Sequence, residues 1–197
     1  AYSINGLLPK IGETKRVYFK NAYHPILLVK NKEANLEVIP QSIELNEQQQ
    51  IIVISGPNAG GKSITLKTIG LLQVMLQSGI LIPVDERSET TIFDTVLTDI
   101  GDNQSIENQL STYSYRLKNM RYFLRKCNER TLFLIDEFGT GSDPELGGAL
   151  AEIFLEEFYH KKAFGIITTH YSNLKVLANE LDYVTNANMQ FNEQTLE

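Results

Sequence analysis

The sequence predicts an α/β fold, with a mainly parallel sheet flanked by helices and a small β-rich region ahead of it. Two observations carry the prediction. Short, largely apolar runs, IIVIS, TLFLID and FGIITT, alternate with longer stretches of helical periodicity, the order that builds strand–helix–strand units. Four glycines and two lysines are also crowded into SGPNAGGKSITLKTIG, residues 55–70, between the first of those runs and the helical pattern behind it.

Residues 1–45 read as short β segments, RVYFKNAY, HPILLV and LEVIPQSIEL. The polar NEQQQ, 46–50, is a turn before the strand IIVIS. Residues 62–78 form a helix that is apolar on most faces, as in helices packed on more than one side. TTIFDTVLTDIG is a strand leading into a loop. Residues 112–127 form an amphipathic helix, with Tyr113, Leu117, Met120, Leu124 and Cys127 on one face. TLFLID, 131–136, has the continuous apolar character of a buried parallel strand. A helix over 144–160 carries Pro144 in its first turn. The strand FGIITT, a helix over 172–181 and the strand-like DYVTNANMQF follow. No repeat, low-complexity segment or linker interrupts this order. One domain over 1–197 is expected, with a β-rich part at 1–45 and a core at 46–197. The chain stops just after a strand, so a piece of a longer protein is expected.

Composition narrows the setting. The single cysteine, Cys127, permits no internal disulfide, which fits a reducing, cytoplasmic environment. No apolar run is long enough to span a membrane and no signal-peptide pattern opens the chain. The net charge of −6 gives no broad attraction for nucleic acid. Any such contact would come from a local patch or from parts of the protein outside this chain.

Gly56, Pro57, Asn58, Ala59, Gly60, Gly61, Lys62 and Ser63 fit the pattern G-x-x-x-x-G-K-[ST]. Glycines let backbone N–H groups turn inward onto phosphate oxygens. The helix that starts near Gly61 points its positive end at them. Lys62 would reach the β- and γ-phosphates, and the Ser63 hydroxyl would bind Mg²⁺. A plain glycine-rich turn is the alternative, but the strand before and the helix after supply the context of a nucleotide site.

The second constellation is LFLIDEFGTGSDP, 132–144. A buried strand delivers Asp136 to its carboxyl edge, where ligands sit in open α/β sheets. Asp136 would serve Mg²⁺. Glu137 can orient and deprotonate an attacking water. A lone Asp-Glu would read as a helix cap; behind a P-loop it reads as metal and base. No guanine-reading Asn-Lys-x-Asp is present. His170 closes the strand GIITTH and is either structural or a sensor of the γ-phosphate. Gln104 lies in a loop after a strand, where it can touch Mg²⁺ or water, or remain a solvated side chain.

GPNAGGKS, DIGDNQSIENQLSTYS, LIDEFGTGSDP and TTHYSNL, in this order and spacing, resemble the ATPase domain of the MutS family. The second stretch and GTGSDPELGGALA are nearer the paralogue linked to recombination suppression and ribosome quality control than the mismatch sensor. The resemblance covers roughly residues 20–190. It implies an ABC-type ATPase fold, ATP as substrate with Mg²⁺, and a head-to-tail homodimer with composite sites. Motif by motif, it implies that Gly56 through Ser63 bind the phosphates, and that Asp136 and Glu137 serve metal and water. His170 becomes the switch histidine, and Gln104 the Q-loop glutamine. Ser111 and Thr112 match the signature that contacts the partner subunit's ATP, and Asp143 would lie at the dimer interface. Ser111 and Thr112 also directly precede the predicted helix, so a helix cap is their alternative role. DNA or ribosome contacts would belong to domains outside this chain.

Three details qualify the match. Tyr23-His24-Pro25 stands where the family often has Arg-His-Pro, and Val38 and Ile39 are the candidates for an adenine wall. Phe154-Leu155-Glu156 spells a mismatch-wedge motif, but Phe154 shares a helix face with Leu150, Ile153 and Glu157 and reads as core. Arg116, Lys118, Arg121, Arg125 and Lys126 read as the outer, solvated side of the helix over 112–127, with docking of a lever domain or nucleic acid as the alternative. Two other functions stay open. A transporter or chromosome-organising ATPase would carry Leu-Ser-Gly-Gly-Gln where this chain has Gln-Leu-Ser-Thr-Tyr. A module that binds nucleotide only to dimerise would not need Glu137.

Overall fold

The computed structural model describes residues 4–56, 61–101, 109–140 and 144–188. In chain order the elements are β1 (Lys10–Ile11), β2 (Val17–Ala22), α1 (Pro25–Glu33), β3 (Gln41–Leu45), β4 (Ile51–Ser55), α2 (Lys62–Gln77), β5 (Glu89–Thr90), β6 (Thr95–Asp99), α3 (Gln109–Lys126), β7 (Thr131–Ile135), α4 (Pro144–His160), β8 (Phe164–Thr168), α5 (Ser172–Glu180) and β9 (Val184–Asn188). They divide between two compact units, one of residues 1–47 and 64–92, the other of residues 48–63 and 93–197.

The first unit holds a four-stranded sheet in the order β1-β5-β2-β3. β2 and β3 run antiparallel, with Val17 opposite Leu45 and Phe19 opposite Ile43; Val17, Phe19 and Leu45 are fully buried. Along α2, Leu66, Ile69, Leu72 and Leu76 are buried at helical spacing. Gln73 is buried with them, and its amide is satisfied by Thr90 Oγ1 and Thr91 O, each at 2.9 Å.

Two expectations fail in this unit. HPILLV is the start of α1, not a strand. Pro25 fits the first turn, where its missing N–H costs nothing, and His24 caps the helix by accepting from Leu27 N–H at 3.5 Å. In LEVIPQSIEL only the part after Pro40 is a strand. Proline has no N–H for the ladder, and Leu36 and Ile39 ahead of it are exposed.

The second unit holds five parallel strands in the order β6-β7-β8-β4-β9. The mainly parallel sheet expected from the sequence is therefore present. β4, β7 and β8 are buried at every position, so both faces of the central strands are covered. Alternate residues Ile51, Val53, Phe133, Ile135 and Ile167 join Met120 and Phe123 of α3, Ala151, Leu155 and Phe158 of α4, and Leu174 and Ala178 of α5 in one core. Phe133 stacks on Phe158 with centroids 4.4 Å apart. Gly165 makes room for that stack: a Cβ there would stand 2.2 Å from the Phe133 ring.

Phe154 packs against this core, with its ring 6.3 Å from that of Phe138, as a core role requires. Its predicted face needs correction, because Ile153 and Glu157 are exposed and Ala151, Leu155 and Phe158 are the buried set. Cys127 is buried and unbridged, and burial pushes its thiol up to about 12. Among the described residues no helix is long and apolar enough to cross a membrane.

Candidate functional site

The site is assembled at the carboxyl edge of the five-stranded sheet. β4 ends at Ser55, and Gly56 and Gly61 follow at φ 131° and 78°, conformations open mainly to glycine. Lys62, the first residue of α2, is only 2% exposed, and its ammonium donates to the Gly56 carbonyl. Burial lowers its pKa; Asp136 and Glu137 pull the other way, and Lys175 adds to the lowering. The ammonium therefore lies within the field of both predicted carboxylates. Ser63 is half-buried in the same helical turn. Pro57, Asn58, Ala59 and Gly60 lie outside the described residues.

β7 delivers Asp136 to its carboxyl end, as expected, with 8% of the residue exposed. Its N–H donates to Asp99 O at 2.9 Å, and its Oδ1 accepts from the Thr168 hydroxyl at 2.5 Å. The same hydroxyl accepts from Glu137 N–H at 2.8 Å. Glu137 itself stands at φ 51°, a region costly to residues with a Cβ, and the turn around it is braced. Phe138 N–H donates to Thr168 O at 2.8 Å, and Tyr171 Oη–H to Gly139 O at 3.1 Å. Gly139, at φ 88°, has no room for a Cβ, which would meet the Tyr171 ring at 2.8 Å and Gly147 O at 2.9 Å. Backbone strain surrounded by such bracing is characteristic of functional turns.

His170 lies just past β8, the neighbour of β7, and is exposed at the same sheet edge. Gln104 and Asp143 lie outside the described residues. Ser111 and Thr112 do not precede the helix: α3 begins at Gln109, so both fall inside its first turn. The separate cap reading does not hold, because a cap residue sits ahead of the helical turn.

Arg116 also departs from expectation. Lys118, Arg121, Arg125 and Lys126 are exposed as predicted, but Arg116 is half-buried. Its Nη1 donates to Glu137 O at 2.9 Å and to Thr140 Oγ1 at 2.8 Å. Asp99, at the end of β6, is a further, half-buried carboxyl. Burial raises its pKa, Arg116 and a hydrogen bond from Asn119 lower it, and Asp136 raises it. Thr168 and Asp99 were not among the residues the sequence singled out; the signal for Thr168 was a polar residue closing an otherwise apolar, buried strand, whereas β6 is only partly buried and gave Asp99 no such mark.

The donor set suits Mg²⁺. A serine hydroxyl and an aspartate carboxylate are hard oxygen ligands. Among the described residues no group of three or more His, Cys, Asp or Glu side chains forms an all-protein cage. A cation here would complete its shell with phosphate oxygens and water, as Mg²⁺ does. In the first unit, Val38 and Tyr23 line a cavity of about 630 Å³ together with Asn21, Leu28 and Pro83, whereas Ile39 is exposed.

The sequence profile of MutS domain V matches residues 52–197. A Finegoldia magna protein named Endonuclease MutS2 is 47% identical over 196 residues, all of this chain and 24% of that protein. Proteins of the same name from Enterococcus faecalis and Brevibacillus brevis are 45% and 41% identical, over 98% and 100% of the chain. The chain thus spans about a quarter of the length of these relatives.

Proposed function

The chain belongs to the MutS family, as its ATPase domain V, and from that membership we propose that it is a Mg²⁺-dependent ATP-hydrolysing, dimerising motor domain of a MutS2-type protein. The observation that carries this is the shared environment of Lys62, Asp136 and Glu137: a buried P-loop lysine in the field of two carboxylates at one sheet edge.

On this reading Gly56 through Ser63 hold the phosphates of ATP, and Lys62 exchanges the Gly56 carbonyl for β- and γ-phosphate oxygens. Ser63 and Asp136 hold Mg²⁺, with Gln104 touching the metal or its water. The metal, when bound, neutralises phosphate charge. Glu137 orients and deprotonates the attacking water, and His170 senses the γ-phosphate. Ser111 and Thr112 of one subunit face the nucleotide of the other, and Asp143 lies at that interface, giving a homodimer with composite sites. Positioning and charge neutralisation supply most of the rate. Turnover opens and closes the dimer and so changes the grip of other domains on DNA or on a ribosome. Such a protein works in the cytoplasm.

The test is ATPase rate against protein concentration, with Mg²⁺, for wild type and Glu137→Ala. Specific activity that rises with concentration and vanishes in the variant is the expected result. Activity that does not change with concentration would overturn the composite site. ATP binding without turnover in the whole protein would leave a dimerisation module, not an enzyme.

A further inference from the structure

We propose that Arg116 is a positioning residue for hydrolysis, a clasp from α3 that fixes the backbone of Glu137 in its left-handed conformation. The inference rests on the reading of Glu137 as the residue that orients the attacking water.

The geometry is specific. One guanidinium nitrogen, Nη1, reaches both Glu137 O at 2.9 Å and Thr140 Oγ1 at 2.8 Å. The Thr140 hydroxyl donates to the same Glu137 carbonyl at 2.9 Å, and the Thr140 N–H does so at 3.2 Å. The carbonyl of Glu137 is therefore held by donors from two elements, while its N–H is held from a third by Thr168. Both ends of a residue at φ 51° are fixed. That is what a strained conformation needs to persist.

Arg116 differs from the other cations of its helix. Lys118, Arg121, Arg125 and Lys126 are exposed, whereas Arg116 turns inward beside Asp99 and lines a small cavity with Met120, Phe138 and Leu150. Its hydrogen-bond acceptors are a backbone carbonyl and a hydroxyl. A charged donor on a neutral carbonyl is stronger than a neutral pair, and the planar guanidinium fixes direction as well as distance. The position of a carboxylate that must meet one water is sensitive to such support, because small misplacements far from the chemistry cost large factors in rate.

The experiment compares wild type, Arg116→Gln, Arg116→Lys and Glu137→Gln in the whole protein. It measures kcat, KM, mant-ATP binding and hydrogen exchange at the Thr140 amide. Arg116→Gln is expected to lower kcat by roughly 10–100-fold, the size of a positioning defect. Mant-ATP binding should stay within about threefold, below the 1.4 kcal/mol that a tenfold change represents. The Thr140 amide should exchange faster, and Arg116→Lys should recover part of kcat. Wild-type kcat and exchange in Arg116→Gln, with Glu137→Gln inactive, would overturn the proposal alone. Loss of nucleotide binding in step with kcat, unrescued by lysine, would overturn it in favour of a general structural role. Wild-type turnover in Glu137→Gln would overturn the reading of Glu137 and the proposal with it.

Discussion

The Thr168 hydroxyl and the Asp136 carboxylate are 2.5 Å apart, and that hydroxyl also accepts the N–H of Glu137 at 2.8 Å. One fully buried side chain thus sets the direction of the predicted metal ligand and the backbone of the predicted base. Thr168→Val keeps the shape but leaves the Glu137 N–H without its acceptor and the buried Asp136 carboxylate without its donor. It is expected to cost about 1–3 kcal/mol of stability and to depress Mg²⁺-ATP turnover, while Thr168→Ser retains both. Urea unfolding and steady-state hydrolysis check the two halves. A silent Thr168→Val would show that Asp136 is oriented by other groups.

Glu137 combines the proposed role of base with a strained backbone, and two substitutions separate them. Glu137→Gln should abolish turnover by roughly 10²–10⁴-fold, the range of a lost general base, with little change in stability. Glu137→Gly should be equally inactive, yet more stable than wild type by up to about 1 kcal/mol, because glycine accepts φ 51° without the Cβ penalty. Thermal melts of the three proteins read the difference; a destabilised glycine variant would mean that the conformation is not strained.

Gly165 is set by a ring, not by a turn. Gly165→Ala would drive its Cβ to 2.2 Å from Phe133, and overpacking of this kind costs about 1–3 kcal/mol or more. Phe133→Leu in the same chain should return part of the loss, since a smaller side chain vacates the space. A double-mutant cycle measures the coupling; purely additive effects would contradict the contact.

His24 gives a pH signature. Burial and the nearby Lys67 cation hold its pKa below the ordinary 6.5, and its cap role needs an unprotonated Nδ1 to accept from Leu27 N–H. The folded state therefore binds this proton less readily than the unfolded chain. The cap's contribution is complete above pH 6.5 and is lost as pH falls through the lowered folded value. His24→Ala should cost about 1 kcal/mol near neutrality, and His24→Asn should recover most of it. The gap between wild type and His24→Ala should narrow in acid. A pH-independent gap would remove the cap from the account.

The parts that were legible in the sequence share a physical cause. β4, β7 and β8 are covered on both faces, so their apolar runs are continuous and could be recognised one by one. Gly56, Gly61 and the Asp136-Glu137 pair lie at the ends of β4 and β7, where the motif is local in sequence. HPILLV misled because an apolar run of that length suits either a strand or a buried helix, and a histidine cap leaves little trace in composition. Arg116 and Thr168 act on backbone atoms 21 and 31 residues away. A sequence displays side chains but not which carbonyl or N–H they will meet. Arg116 looked like its solvated neighbours for that reason.

The strand order has a consequence for synthesis. β4 lies between β8 and β9, and the hydrogen bond from Ser55 to Asn188 joins residues 133 apart. As the chain leaves the ribosome, the IIVIS strand emerges long before either of its partners. At about 5–20 residues per second, that delay is on the order of ten seconds. Throughout it, an apolar ribbon with two unpaired edges is exposed, the condition that invites aggregation. β4 is therefore made well before both of its partners, so nascent chains cut short before Val184 should be the ones that most need a chaperone.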